Sequence, residues 1–184
     1  MGKLFLFAAP SGAGKTTIVR HLLAKFETLA FSVSATTRAR RVYEQEGRDY
    51  YFMDVDHFRK LIDEGAFVEW EEVYAGQYYG TLHSEIARLW AEGKDILFDV
   101  DVKGALRLKA AYPEQALSVF VKPPSAEAIR QRLIARQTET PETLEKRMAR
   151  VEEELAYESH FDRVLINDVL EQALLDAEAI ISPE

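Results

Sequence analysis

An unbroken apolar run, Leu4-Phe-Leu-Phe-Ala-Ala9, ends at Pro10 and passes through Ser-Gly-Ala-Gly-Lys-Thr16 straight into a stretch with helical periodicity. A strand buried on both faces, a glycine-bearing turn and a helix N-terminus in that order leave few folds open. The strand must sit inside a sheet, and the turn must offer its backbone at the sheet's edge. Gly12 and Gly14 allow successive N–H groups to point inward, which makes a cradle for phosphate oxygens, and the helix N-terminus adds partial positive charge. Ala9, Pro10, Ser11, Gly12, Ala13, Gly14, Lys15 and Thr16 are therefore predicted to hold a nucleotide's phosphates. The Lys15 ammonium is placed on the β and γ phosphates, and the Thr16 hydroxyl is offered to Mg²⁺. Ala9 stands where this P-loop pattern begins with glycine, and its methyl group is expected to be tolerated if the backbone angle there is negative. The bland alternative is a glycine-rich turn that binds nothing.

Short apolar runs alternate with amphipathic stretches along the chain, the rhythm of α/β architecture with a largely parallel sheet. Strands are predicted at Lys3–Ala8, Ile96–Val100 and Leu117–Val121, with a weaker one at Arg163–Ile166. Helices are predicted at Lys15–Ala24, Ser84–Glu92, Val102–Ala110, Ala126–Ala135, Glu142–Tyr157 and Asp168–Ile180. Ser125, and Thr140 followed by Pro141, read as helix starts. From Phe31 to Tyr79 the pattern changes to short aromatic and β-branched strands around one helix, Val55–Glu64, ended by Gly65, and this reads as a β-rich insertion. Trp70 and Trp90 are expected in the core.

A length of 184 residues suits one core with small insertions, and the absence of Cys removes disulfides, thiolate nucleophiles and Cys-ligated metals from consideration. The net charge of −8 argues against general nucleic-acid or acidic-membrane binding. Leu4–Pro10 is too short for a signal segment and no run approaches membrane-spanning length, so a cytoplasmic protein is expected. His21, His57, His83 and His160 show no metal-ligand spacing and read as surface or packing residues.

Ile96-Leu-Phe-Asp-Val-Asp101 is an apolar strand ending in carboxylates, the usual place for an Asp that holds hydrated Mg²⁺. Asp99 is assigned that role with Thr16, and a plain helix cap is the alternative for Asp101. The segments Ser32-Val-Ser-Ala-Thr-Thr-Arg-Ala-Arg-Arg41, Gly47-Arg-Asp-Tyr50, Phe67-Val-Glu-Trp70 and Gln77-Tyr-Tyr-Gly-Thr81 resemble the acceptor region of guanylate kinases. The resemblance runs on through Phe98–Asp101, Val121–Ser125, Arg132–Arg147 and Ile166–Asp168, nearly the whole chain.

The resemblance implies a P-loop NTPase core (1–32, 83–123 and 148–184), a β-rich monophosphate-binding lobe (33–82) and a small helical lid (124–147). It also implies γ-phosphoryl transfer from ATP to GMP, with Mg²⁺ as cofactor and no nucleic-acid, membrane or obligate protein partner. Ser34, Glu69, Thr81 and Asp101 are thereby assigned to guanine, and Arg38, Arg41, Tyr50 and Tyr79 to its phosphate. Arg132, Arg136 and Asn167 are assigned to the ATP side, with Arg38, Arg136 and Arg147 joining Lys15 in the transfer, while Arg40 is left without a role. For Asn167 a turn or cap residue is an equal alternative.

The residue chemistry agrees with this assignment. Guanine offers N1–H and N2–H₂ donors and an O6 acceptor, which a carboxylate and a hydroxyl can meet; adenine's N1 is an acceptor and would face Glu69 unfavourably. Other readings stay open: a non-catalytic guanylate-kinase-like binding module, another nucleoside-monophosphate kinase, and a GTPase switch, the last lacking an Asn-Lys-x-Asp guanine reader. Because so many arginines cluster at a site for two polyanions, the lobe and lid are expected to close mainly with ligand.

Overall fold

The computed structural model describes residues 2–10, 12–135 and 140–182. The chain opens with β1 (Leu4–Ala8), α1 (Lys15–Lys25) and β2 (Leu29–Phe31). A second group follows: β3 (Ala35–Thr36), β4 (Tyr51–Phe52), α2 (Val55–Asp63), β5 (Phe67–Tyr74) and β6 (Gln77–Leu82). The remainder comprises α3 (His83–Ala91), β7 (Asp95–Val100), α4 (Val102–Ala111), β8 (Ala116–Lys122), α5 (Ala126–Ala135), α6 (Pro141–Leu155), β9 (Arg163–Ile166) and α7 (Leu170–Ile181).

The core sheet is parallel, in the order β2-β7-β1-β8-β9, so β1 lies at its centre. All five β1 residues are buried because both faces are covered. Phe5 and Phe7 join Ile18 and Leu22 of α1 and Ala173 and Ala177 of α7 on one face. Leu4 and Leu6 join Ile86 of α3 and Leu108 of α4 on the other. Each such large side chain contributes about 1.5–3 kcal/mol by leaving water. Arg163–Ile166, the weakest predicted strand, is a largely exposed edge with only Leu165 buried.

Phe31 does not begin the insertion, as its sequence context suggests. Leu29–Phe31 is the other edge strand of the core sheet, pairing Leu29 with Asp95 and Phe31 with Leu97. Three residues are too few for periodicity to reveal a strand.

The second sheet, β4-β3-β6-β5, carries its own small core, in which Phe58 of α2 stacks on Phe67 at 4.3 Å and Tyr78 closes the group. Asp54 caps α2 by accepting from the His57 amide at 2.7 Å, and Gly65, at φ 67°, ends it in a conformation that suits glycine. Trp70 is not a core residue: it is 40 % exposed. Side chains alternate along β5, so with Glu69 turned toward Thr81, Trp70 falls on the opposite face and only partly covers Tyr78. Trp90 is half-buried, edge-on to Tyr112. Helices α5 and α6 pack through Ile129, Leu133, Leu144 and Met148, and Thr140 with Pro141 starts α6 in a capping box.

Candidate active site

In an open parallel sheet the loops at the carboxyl ends of the strands form a crevice. Here the ends of β1 and β7 are neighbours, with Phe7 beside Asp99 and Ala8 beside Val100. That register brings the glycine turn and the acidic strand end together. Gly12 and Gly14 both adopt φ 88°, and Gly14 is the N-cap of α1. A Cβ on Gly14 would collide with the Asn167 side-chain amide, whose Nδ2 donates to the Ala13 carbonyl at 2.6 Å. Asn167, 5 % exposed, thus ties the turn after β9 to the phosphate loop. Ala9 is buried in the cluster around Phe5 and Phe7, so the departure from glycine adds to the core. Ser11 and Arg136 lie outside the described residues.

Lys15 Nζ sits 2.6 Å from Asp99 Oδ1 and also donates to the Val100 carbonyl, while Thr16 Oγ1 lies 3.5 Å from Asp99 Oδ2. A hydroxyl and a carboxylate are hard oxygen donors that fit Mg²⁺, which keeps most of its waters. Among the described residues no group of three or more His, Asp or Glu forms a metal cage, and Mg²⁺ does not require one.

Ser34, Tyr50, Glu69, Tyr79, Asp101 and Gly104 line a cavity of about 310 Å³ that Asp99 also borders. Thr81, fully buried, donates to Glu69 Oε1 at 2.7 Å and orients the carboxylate from behind. Burial pushes the Glu69 carboxyl above the usual carboxylate range, with a smaller push from the Asp101 charge, against the Thr81 hydrogen bond. Asp101 is the helix cap that its sequence offers as one alternative. Its Oδ1 caps α4 by accepting from the Gly104 amide at 2.6 Å, and the residue lines the cavity.

Beside this cavity Arg38 stacks 5.3 Å above the Tyr50 ring and makes a two-pronged pair with Glu44, at 3.1 and 2.6 Å. The Glu44 hydrogen bonds raise the Arg38 pKa, and Arg38 in turn holds the Glu44 carboxyl below its ordinary value. Glu44 also accepts from the Arg41 amide at 2.8 Å, whereas the Arg41 side chain is exposed and donates to the Tyr43 hydroxyl. Arg132 reaches the Asn167 carbonyl at 3.5 Å, and Arg147 is exposed on α6.

Sequence reading misses Glu44 and Gly104. Glu44 has a signal, an acid three and six residues beyond two assigned arginines. Gly104 has one too, a glycine inside a helix that it weakens. A Cβ there would lie 3.1 Å from Asp101 Oδ1 and 3.5 Å from Glu69 Oε2, so its absence keeps the cavity open.

The loop after β1 and the carboxylate-lined cavity thus meet at Asp99, which pairs with Lys15 and borders the cavity. The family model described as guanylate kinase matches residues 1–184. The chain belongs to the guanylate kinase family. It is 47% identical over 171 residues to a guanylate kinase of Porphyromonas gingivalis, covering 92% of this chain and 91% of that one. To one of Bacteroides fragilis it is 46% identical over 179 residues, covering 97% and 88%. The crystal structure of guanylate kinase from Anaplasma phagocytophilum superposes with a TM-score of 0.74 at 29% identity, over 98% of this chain and 84% of that one. The protein is accordingly a nucleoside-monophosphate kinase, an ATP:GMP phosphotransferase.

Proposed function

We propose that this guanylate kinase reads GMP with the cavity of the second sheet and holds ATP on the loop after β1. The meeting of the two sides at Asp99, which pairs with Lys15 and lines the same cavity as Glu69, carries this reading. Glu69 accepts from guanine N1–H and N2–H₂ and Ser34 serves O6, while Thr81, assigned to O6 from its sequence, is fully buried, gives its one proton to Glu69 and acts by orienting that carboxylate. Arg38, Arg41, Tyr50 and Tyr79 hold the GMP phosphate, with Asp101 at the guanine edge. When GMP enters, its phosphate takes up the guanidinium face that Arg38 now shares between Tyr50 and Glu44.

Two facing phosphate charges about 4 Å apart repel by roughly 4 kcal/mol at an effective dielectric of 20. Lys15 and Arg38 offset this from the two sides, joined by Arg132, Arg136 and Arg147 from the lid. Thr16 and Asp99 would hold Mg²⁺, which neutralises developing charge on the β and γ oxygens when bound. The acceptor phosphate is already ionised, so no residue is assigned as a general base. Residues 33–82 and 124–147 act as lobes that close over the core of 1–32, 83–123 and 148–184, excluding water that would hydrolyse ATP. Transfer between two small molecules needs no nucleic acid, membrane or obligate protein partner, and these substrates place the work in the cytoplasm. Among the described residues no helix is long and apolar enough to cross a membrane.

ADP release from ATP with GMP, dGMP, AMP, UMP and CMP in turn tests the pocket. GMP should be strongly preferred, and Glu69→Ala should lose that preference. Wild-type selectivity in Glu69→Ala would overturn the assignment.

A further inference from the structure

Glu85, in the first turn of α3, has 1% of its side chain exposed and has no part in the transfer chemistry above. Burying a carboxylate is unfavourable unless its lone pairs are met, and here four donors meet them. Oε1 accepts from the Val33 amide at 3.2 Å and from Arg88 Nη2 at 2.9 Å. Oε2 accepts from the Tyr51 hydroxyl at 2.7 Å and from Arg88 Nε at 3.0 Å. Burial alone would raise this carboxyl, yet Arg88, Tyr51 and Val33 together hold it below the usual range, so it stays charged.

The donors come from separate parts of the fold. Val33 lies on the stretch leading from β2 of the core sheet into β3 of the second sheet. Tyr51 begins β4, an edge strand of the second sheet, and α3 starts directly after β6, the return crossing. One carboxylate therefore touches the outgoing crossing and the lobe, and itself stands at the incoming crossing. The neighbours of its two lobe-side partners, Ser34 after Val33 and Tyr50 before Tyr51, line the acceptor cavity.

We infer that Glu85 is a positioning residue of the hinge, clamping Val33 and Tyr51 to α3 so that Ser34 and Tyr50 face the acceptor nucleotide in a fixed direction. It acts through its neighbours and does not touch substrate. The inference rests on the acceptor-pocket reading above.

The full chain with Tyr51→Phe, with Glu85→Gln and with both is assayed for KM of GMP, KM of ATP, kcat and Tm. Loss of one such hydrogen bond should raise the GMP KM roughly five- to tenfold in Tyr51→Phe and more in Glu85→Gln, with the ATP KM within about twofold. The double variant should be no worse than Glu85→Gln, since both remove one connection. Tyr51→Phe leaves the Glu85–Arg88 pair intact, so it carries the test if Glu85→Gln does not fold. An unchanged GMP KM in Tyr51→Phe, or an equal rise in both KM values, overturns the hinge role. Glu69→Ala, run alongside, separates the failures. If it raises the GMP KM while Tyr51→Phe does not, the hinge role alone falls; if neither does, the pocket falls as well.

Discussion

Lys15 Nζ lies 2.6 Å from Asp99 Oδ1, so the cation of the phosphate loop is held by the carboxylate that closes the neighbouring strand. The pair keeps the ammonium at the mouth of the loop, ready to exchange a carboxylate for phosphate oxygens. Lys15→Ala removes a charge that acts on the transferring group, and kcat should fall roughly 10²–10³-fold. The GMP KM, set chiefly by the lining around Glu69, should stay within about threefold. A coupled ADP assay with ATP saturating and GMP varied measures both.

Gly104→Ala separates stability from recognition. In the first turn of α4, where Gly104 stands, the change gains less than the about 1 kcal/mol it brings in a helix interior. The new methyl carbon must, however, sit 3.1 Å from Asp101 Oδ1 and 3.5 Å from Glu69 Oε2. Because the methyl presses on the Asp101 oxygen that caps α4, thermal unfolding should show little net gain in Tm, while the GMP KM rises at least about tenfold as the cavity floor fills.

Glu69 carries a similar conflict in its charge. Its carboxyl is raised in the fold, chiefly by burial, so the folded state binds the proton more tightly than the unfolded chain. Stability is therefore lost as pH rises from the ordinary carboxylate value through the raised one. Glu69→Gln escapes that loss. Its Tm should exceed the wild-type Tm at pH 7, and the advantage should vanish below about pH 4, where the wild-type carboxyl is protonated in both states. The same variant should bind GMP at least about tenfold more weakly, because an amide cannot serve both guanine donors.

Asn167 donates to the Ala13 carbonyl from a buried position, and removing it leaves that acceptor without its partner at a cost of about 1–3 kcal/mol. Asn167→Ala should raise the ATP KM several-fold and leave the GMP KM near wild type, and Asn167→Asp, which sets a carboxylate oxygen against the carbonyl, should be worse. Steady-state kinetics with each nucleotide varied in turn distinguishes the two sides.

The residues legible in the sequence are those whose chemistry is written locally. Gly14, Lys15 and Thr16 stand together between a strand and a helix, and Asp99 ends an apolar run. Glu69 and Thr81 are legible as a donor–acceptor complement to guanine, although nothing local says that they bond to each other; that follows from the antiparallel register of β5 and β6. Glu85 and Gly104 escape because their meaning is tertiary: one answers donors 34 and 52 residues away, and the other matters for a side chain it lacks. Leu29–Phe31 escapes because its partner strand lies far along the chain, and Trp70 misleads because its size suggests burial where strand alternation exposes it.

The insertion between β2 and β7 also bears on how the chain reaches this fold. Phe31 must find Leu97 in parallel, which closes a long loop, and each doubling of loop length adds about 0.6 kcal/mol of entropic opposition. Pairing of Ala35 with Gly80 holds the two ends of that loop near one another in the finished fold. The second sheet is thus a folding clasp: once it has formed, β2 and β7 meet across a short gap. Weakening the Phe58–Phe67 stack should slow assembly of a core sheet to which neither ring belongs.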